Sequence, residues 1–385
     1  MDDVNIIHFL KADAGDCILL QLEDKKCILI DCGYKSTFEN ELKPLLEKLA
    51  IIGYRISLLI ITHYDEDHIQ GANALLKENG DYLNPIIIEI DEIWFNGIFN
   101  IVRSSSKIQT HIVEKLSIKY KDKYRLLQEQ LLGLIGVGEG EISANLAETF
   151  ELLCTKNNYK VNAVTNGGRI IAGTKTKIGE YTIKCLNPGY NQFDKLEKWI
   201  DNTCTKCLGK NYELDKNNFI MFLQNMLLAN GREPQSYLTT SKIGANIPDI
   251  KSWFETSTRA SMNVVNRASI VVEIIYKCKK LLFTADSESA DWITNAYKEY
   301  DYVKISHHGT TKPNIELLDK VKISVAMIST NGRRNHPEDE LLARLIQANV
   351  NEIYFNYDIR RKRDLTLLEK QYGFKAHFGN PKIYF

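Results

Sequence analysis

The stretch Leu58-Leu59-Ile60-Ile61-Thr62-His63-Tyr64-Asp65-Glu66-Asp67-His68-Ile69-Gln70-Gly71 decides how this chain is read. Its first residues are continuously apolar, as in a strand with both faces buried. They run straight into the pattern H-x-D-x-D-H-x-x-G. Strand ends are where α/β folds collect their ligands. Alternate residues of an extended segment point the same way, so His63, Asp65 and Asp67 can converge. His68 follows as the chain turns into a helix, and Gly71 lets that helix pack close. Two imidazoles and two carboxylates within six residues can hold two divalent cations. A merely solvated charge run does not explain why two of the eight histidines sit beside two aspartates after an apolar strand.

Outward from this stretch, strand and helix signals alternate. Residues 17–22 and 27–31 read as strands, and 38–50 place Leu42, Leu45, Leu46 and Leu49 on one helical face. Residues 105–155 read as helical, with a break at Gly136, Gly138 and Gly140 and a second helix from about Ser143. Residues 178–186 read as a strand and 192–204 as a helix. The polar stretch 230–262 reads as a long loop or lid. Strand signals return at 269–275, 281–286, 302–305 and 324–328. Two β-rich portions, 1–95 and 263–385, thus flank a helical insertion and lid, 96–262, within one domain spanning 1–385.

Composition sets the outer bounds. The 385 residues are 44% hydrophobic and 25% charged, with Lys plus Arg equal to Asp plus Glu at 49 each. A sizeable core is affordable, and no overall basic excess calls for nucleic acid. The acidic start Met1-Asp2-Asp3 and the short apolar runs predict no signal peptide and no membrane span. Several of the eight cysteines lie inside apolar strands, which suits a reducing, cytoplasmic setting. Cys204 and Cys207 form a single C-x-x-C, too few ligands for a zinc ribbon. The basic run Arg360-Arg361-Lys362-Arg363 reads either as a solvated turn or as a contact for a nucleic-acid backbone.

The 62–71 segment resembles the H-x-H-x-D-H signature of the metallo-β-lactamase superfamily, with Asp65 standing where the second His usually stands. That departure resembles the nuclease-like domain of ComEC-type DNA-uptake proteins. Gly15-Asp16-Cys17 and Leu29-Ile30-Asp31-Cys32-Gly33 resemble its opening strands, and Asn266-Arg267-Ala268-Ser269 its N-x-x-S motif. Leu281 to Asp286 resembles the strand that delivers a bridging aspartate. Lys304-Ile305-Ser306-His307-His308-Gly309-Thr310 resembles K-x-x-H-H-G-S, and Asn331 with His336-Pro337 the closing N-x-x-x-x-H-P. Trp94-Phe95-Asn96-Gly97, the helix from Ser143 and Leu186-Asn187-Pro188 resemble stand-alone bacterial proteins linked to phage defence.

The resemblance implies an αββα sandwich and a metal-dependent hydrolase, a phosphodiesterase or nuclease using a bridging hydroxide at a two-metal site. His63 and Asp65 are expected to hold the first metal, Asp67, His68 and His307 the second, and Asp286 to bridge them. Asp65, Asp67 and Asp286 are the expected catalytic carboxylates. The usual further His on the first metal has no counterpart; His111 is a poor candidate, and Asn266, water or a substrate oxygen is expected to fill the gap. Asp31 is expected to support the ligands from behind, while His308 and His336 are left for substrate. Two divalent ions are expected, Zn²⁺ or Mn²⁺ with Mg²⁺ as a further option, and the oxygen-rich ligand set tilts the preference toward Mn²⁺ or Mg²⁺. Nucleic acid is the expected substrate, and a defence-system protein the expected partner. Two other readings stay open: hydrolysis of a lactone, thioester or small phosphoester, and a catalytically weak metal-bearing binding subunit.

Overall fold

The computed structural model describes residues 5–97, 150–151, 153–198, 249–255, 262–379 and 381–385. The expected helices within 105–142, the start of the helix at Ser143, His111, the Cys204–Cys207 pair and the loop from 230 to 248 lie outside the described residues.

Two sheets carry the architecture. The first has six strands in the order β14-β1-β2-β3-β4-β5. These are β1 (Ile6–Phe9), β2 (Ile18–Gln21), β3 (Lys26–Ile30), β4 (Arg55–Ile61), β5 (Ile93–Phe95) and β14 (Lys382–Tyr384). The second has eight strands in the order β13-β12-β11-β10-β9-β8-β7-β6. These are β6 (Lys175–Ile178), β7 (Tyr181–Asn187), β8 (Val271–Tyr276), β9 (Lys279–Phe283), β10 (Glu299–Lys304), β11 (Lys322–Ile328), β12 (Glu352–Phe355) and β13 (Lys375–Phe378). Within the segment 96–262, β6 and β7 are thus strands of the sandwich itself. The sequence reading finds β7 and passes over β6, whose Lys175-Thr176-Lys177 is the charged pattern of an edge strand.

Side-chain alternation explains the layering. From the first sheet, Ile7, Phe9, Leu20, Ile28, Leu58, Ile60 and Trp94 meet Ile183, Val272, Ile274, Leu281, Phe283 and Met327 of the second in one buried layer. The opposite faces of the strands bind helices. Leu19, Leu29, Leu59 and Ile61 pack with Leu42, Leu46, Ile69, Leu75 and Leu76. Leu282, Val303, Ala326 and Ile353 pack with Leu341, Leu345, Leu365 and Leu368. The result is the expected αββα sandwich. Because β4 is covered on both faces, it reads as an unbroken apolar run rather than an alternating one.

β3, β4 and β5 run parallel, as do β9 through β13. Their C-terminal ends deliver Asp31, His63, Asp286, His308 and Ser329. The loops there are tight: Asp31, Ala285, His307 and His308 all have φ between 49° and 54°. Left-handed non-glycine residues cost on the order of 1–3 kcal/mol each and gather at functional sites. Two glycines permit close approach. A Cβ on Gly71 would stand 2.1 Å from the Cys32 carbonyl oxygen, so the helix Glu66–Asn79 can rest on the end of β3 only with glycine there. A Cβ on Gly15 would stand 1.9 Å from the Asp67 carbonyl oxygen.

Candidate metal centre

The site begins with Asp31. Its carboxylate is wholly buried and accepts three hydrogen bonds: the Thr62 backbone N–H on Oδ1 (2.8 Å), and the Thr62 hydroxyl (2.7 Å) and His68 Nδ1 (2.7 Å) on Oδ2. A carboxylate only accepts, so His68 carries its proton on Nδ1 and turns the Nε2 lone pair inward. Thr62 spends its one hydroxyl proton on Asp31, so its oxygen accepts from His63 Nδ1 at 2.9 Å. His63 Nε2 is therefore also a lone pair. His308 follows the same rule, its Nδ1–H donating to the Ser329 carbonyl at 3.2 Å.

These inward nitrogens meet carboxylates. His68 Nε2 lies 3.5 Å from Asp286 Oδ2 and 3.9 Å from Asp67 Oδ1. His308 Nε2 lies 3.2 Å from Asp286 Oδ2 and 3.4 Å from Asp67 Oδ2. His63 Nε2 lies 3.5 Å from Asp65 Oδ2. Asp65 is the N-cap of the Glu66–Asn79 helix, yet its side chain makes no capping bond, which leaves the carboxylate to the site. Two groups have their ligand atoms within 4.8 Å of one another: His63, His68 and Asp286, and Asp67, His68 and His308.

One expectation is corrected here. The sequence places His307 with Asp67 and His68 and leaves His308 for substrate; in the structure it is the His308 ring that meets Asp67, Asp286 and His68. Both residues take left-handed backbone, and the turn after Ser306 sends the second ring, not the first, into the cluster. The His307 ring instead pairs Nδ1 with Thr310 Oγ1 at 3.0 Å and faces the His336 ring at 6.2 Å. Spacing alone cannot separate two adjacent histidines.

Electrostatics show what the cluster demands. Burial alone would lower His308, but the Asp286 charge and its hydrogen bonds to Asp286 and Asp67 push it up to about 10. Burial would likewise lower His68, and the Asp286, Asp31 and Asp67 charges raise it well above its ordinary value. Burial would raise Asp67 and Asp286, but the imidazoles hold both well below the usual carboxylate range. The carboxylates thus call for positive charge at the Nε2 positions, which a metal ion supplies in exchange for protons. His63 Nε2, His68 Nε2 and Asp286 Oδ1 are buried without a hydrogen-bond partner, as ligands awaiting an ion would be. The residues fit a divalent metal.

A third acidic group, Asp16, Asp31 and His68, also lies close together. It is not a metal position, because a cation of the chain already fills it. Lys304 is 1% exposed; its ammonium forms an ion pair with Asp16 Oδ2, donates to the Ala285 carbonyl at 2.9 Å and approaches Asp286 Oδ1 to 3.6 Å. Neither Asp16 nor Lys304 carries a role in the sequence reading. A lysine in an alternating strand reads as surface, and only the packing reveals it as buried.

Asn266 sits on the short helix Val264–Arg267, next to the segment that bonds β4 through Ile270 N–H and the Thr62 carbonyl at 2.9 Å. Its Oδ1 is buried without a hydrogen-bond partner. Its neighbours Val265 and Ala268 line a cavity that also touches Thr62, His63, Tyr64 and Phe95. Asn187 fixes this segment, donating to the Arg267 carbonyl at 2.9 Å and the Ser269 carbonyl at 2.8 Å. Three residues of the basic run are engaged within the fold: Arg360 and Arg361 bind Asp339, Arg361 also binds Asp364 and covers the Trp253 ring, and Lys362 binds Asp358.

Residues 10–145 match the family model of the metallo-beta-lactamase superfamily. The match takes in the 62–71 segment and covers about a third of the chain. This likeness accords with the two-sheet sandwich and with the His and Asp groups at its edge. No curated protein matches the chain. Among solved structures, the metallo-beta-lactamase fold protein YhfI from Bacillus subtilis aligns at 9% identity over 100% of this chain and 99% of that one, with a TM-score of 0.40. A mutant of the CmlA beta-hydroxylase aligns at 9% identity over 99% of this chain and 54% of that one, with a TM-score of 0.37. No described helix is long and apolar enough to cross a membrane.

Proposed function

We propose that this chain is a metallo-beta-lactamase-type, two-metal phosphodiesterase acting on nucleic acid. The observation that carries the reading is the charge of the buried cluster. With the imidazoles neutral as ligands, Asp16, Asp31, Asp65, Asp67 and Asp286 bring five carboxylates against the single ammonium of Lys304. Two dications would bring the group to neutrality; one would leave it strongly anionic in a poorly solvated place. His63 and Asp65 would hold the first metal, and Asp67, His68 and His308 the second, with Asp286 between them. Bound divalent cations would activate water and neutralise charge on a phosphoryl oxygen.

The chain's own part is positional. Asp31 and Ser329 hold His68 and His308 with Nε2 inward, and Lys304 neutralises Asp16 while facing the outer oxygen of Asp286. Asp65 and Asp67 are the partly exposed carboxylates of the group, so a substrate would approach past them. A carboxylate at position 65 makes that side harder and more oxygen-rich, which suits Mn²⁺ or Mg²⁺ better than a second imidazole would. The apolar lining beside His63, with Phe95, Phe193, Leu196 and Val265, favours one other reading, an ester or thioester with an apolar acyl group.

An activity matrix separates the two. Wild type and Asp65→His are each loaded with Mn²⁺, Mg²⁺ or Zn²⁺ and offered single- and double-stranded DNA, RNA, a generic phosphodiester, a lactone and a thioester. Phosphodiester cleavage is expected, faster with Mn²⁺ than with Zn²⁺ for the wild type, the order reversing in Asp65→His. Thioester or lactone hydrolysis with no phosphodiester cleavage under any metal refutes the proposal.

A further inference from the structure

We propose that Thr62 is a positioning residue that ties His63 to the carboxylate already holding His68, so that Asp31 organises an imidazole of each metal position and the two positions fill together. The inference rests on the metal-binding reading above. It begins with a count of protons. Asp31 Oδ2 accepts from both the Thr62 hydroxyl and His68 Nδ1, each at 2.7 Å, and Oδ1 accepts the Thr62 backbone N–H at 2.8 Å. A hydroxyl has one proton, and here it points at a carboxylate. Toward His63 Nδ1, 2.9 Å away, the Thr62 oxygen can only accept. The sequence Asp31–Thr62–His63 is therefore directional, and it sets which nitrogen of His63 is left for a metal.

The arrangement has little freedom to relax. Asp31 is fully buried and Thr62 3% exposed, so water cannot take over either bond. Asp31 N–H is held by the Ile60 carbonyl at 2.9 Å, fixing the end of β3 to the end of β4. The rings it steers are close, with the His63 and His68 centroids 4.1 Å apart, and both belong to one group with Asp286. An ion that pulls His68 into register tightens Asp31, and Asp31 tightens Thr62 and His63. Outer partners of this kind typically change metal affinity by about 10–100-fold.

The test titrates metal-free wild type, Thr62→Val and Thr62→Ser with Mn²⁺, following heat and the manganese paramagnetic resonance spectrum. The thermal melt of each metal-free protein verifies its fold. Wild type is expected to take up two Mn²⁺ in one unresolved transition with a spin-coupled spectrum. Thr62→Val is expected to split this into two events, one weakened by about 10–100-fold, and to show an uncoupled spectrum at one equivalent. Thr62→Ser keeps the hydroxyl and is expected to behave as wild type. The proposal is overturned if Thr62→Val binds both ions as wild type does, or if Thr62→Ser is weakened as much as Thr62→Val. A wild type that takes up no Mn²⁺ removes the underlying metal reading instead, so the two failures are distinguishable.

Discussion

Asp286→Asn should lose turnover by well over the ~100-fold that outer-shell changes cost, while the protein still folds. The substitution is nearly isosteric, so packing around the end of β9 is kept. What changes is the charge and the donor set. Asp286 Oδ2 is the one oxygen shared by His68 Nε2 at 3.5 Å and His308 Nε2 at 3.2 Å. An amide offers a weaker, neutral oxygen or turns an N–H toward lone pairs that need a cation. The check is kcat with saturating Mn²⁺ alongside a thermal melt. A variant that keeps a tenth of wild-type turnover would remove Asp286 from the centre of the account.

The second large effect is on stability. Lys304→Met should destabilise the metal-free protein by about 3–5 kcal/mol, the usual cost of breaking a buried ion pair from one side. Asp16 would be left buried beside Asp31 and Asp286 without the ammonium that pairs with it. Burial alone would lower Lys304, but the Asp16 and Asp286 charges, with the Asp16 hydrogen bond and the Asp31 charge, together raise it above its ordinary value. Asp16→Asn combined with Lys304→Met should recover much of the loss, because the stranded charge is gone. Equilibrium unfolding in denaturant measures both. A single-variant loss below about 1 kcal/mol would mean that Lys304 is not the buried counter-charge described here.

These two residues also mark where sequence reading stops. The apolar runs at 58–62, 281–286 and 324–328 are visible as strands because both faces of a central strand must be apolar. One margin of the first sheet is not visible: the edge strand β14 and its neighbour β1 are short, and their pairing joins Ile6 to Tyr384 across almost the whole chain. His63, Asp65, Asp67 and His68 are legible because they crowd into one turn after β4. Asp286 is legible only through resemblance, since one aspartate after one strand has no pattern of its own. The exchange of His307 and His308 depends on two left-handed residues, and local spacing does not encode which ring enters a site. Asp16 and Lys304 reveal their roles only once β2 and β10 are brought together, because an isolated lysine in a strand is ordinarily solvated.

The central claim is that the edge of the sandwich between β4 and β9 is a metal centre. Elemental analysis of protein equilibrated with Mn²⁺ or Zn²⁺ and then freed of loose metal tests it most directly, with wild type beside Asp67→Ala and His68→Ala. The account predicts two divalent ions per wild-type chain and the loss of at least one in each variant. Wild-type protein that retains no divalent metal after loading with either ion would contradict it.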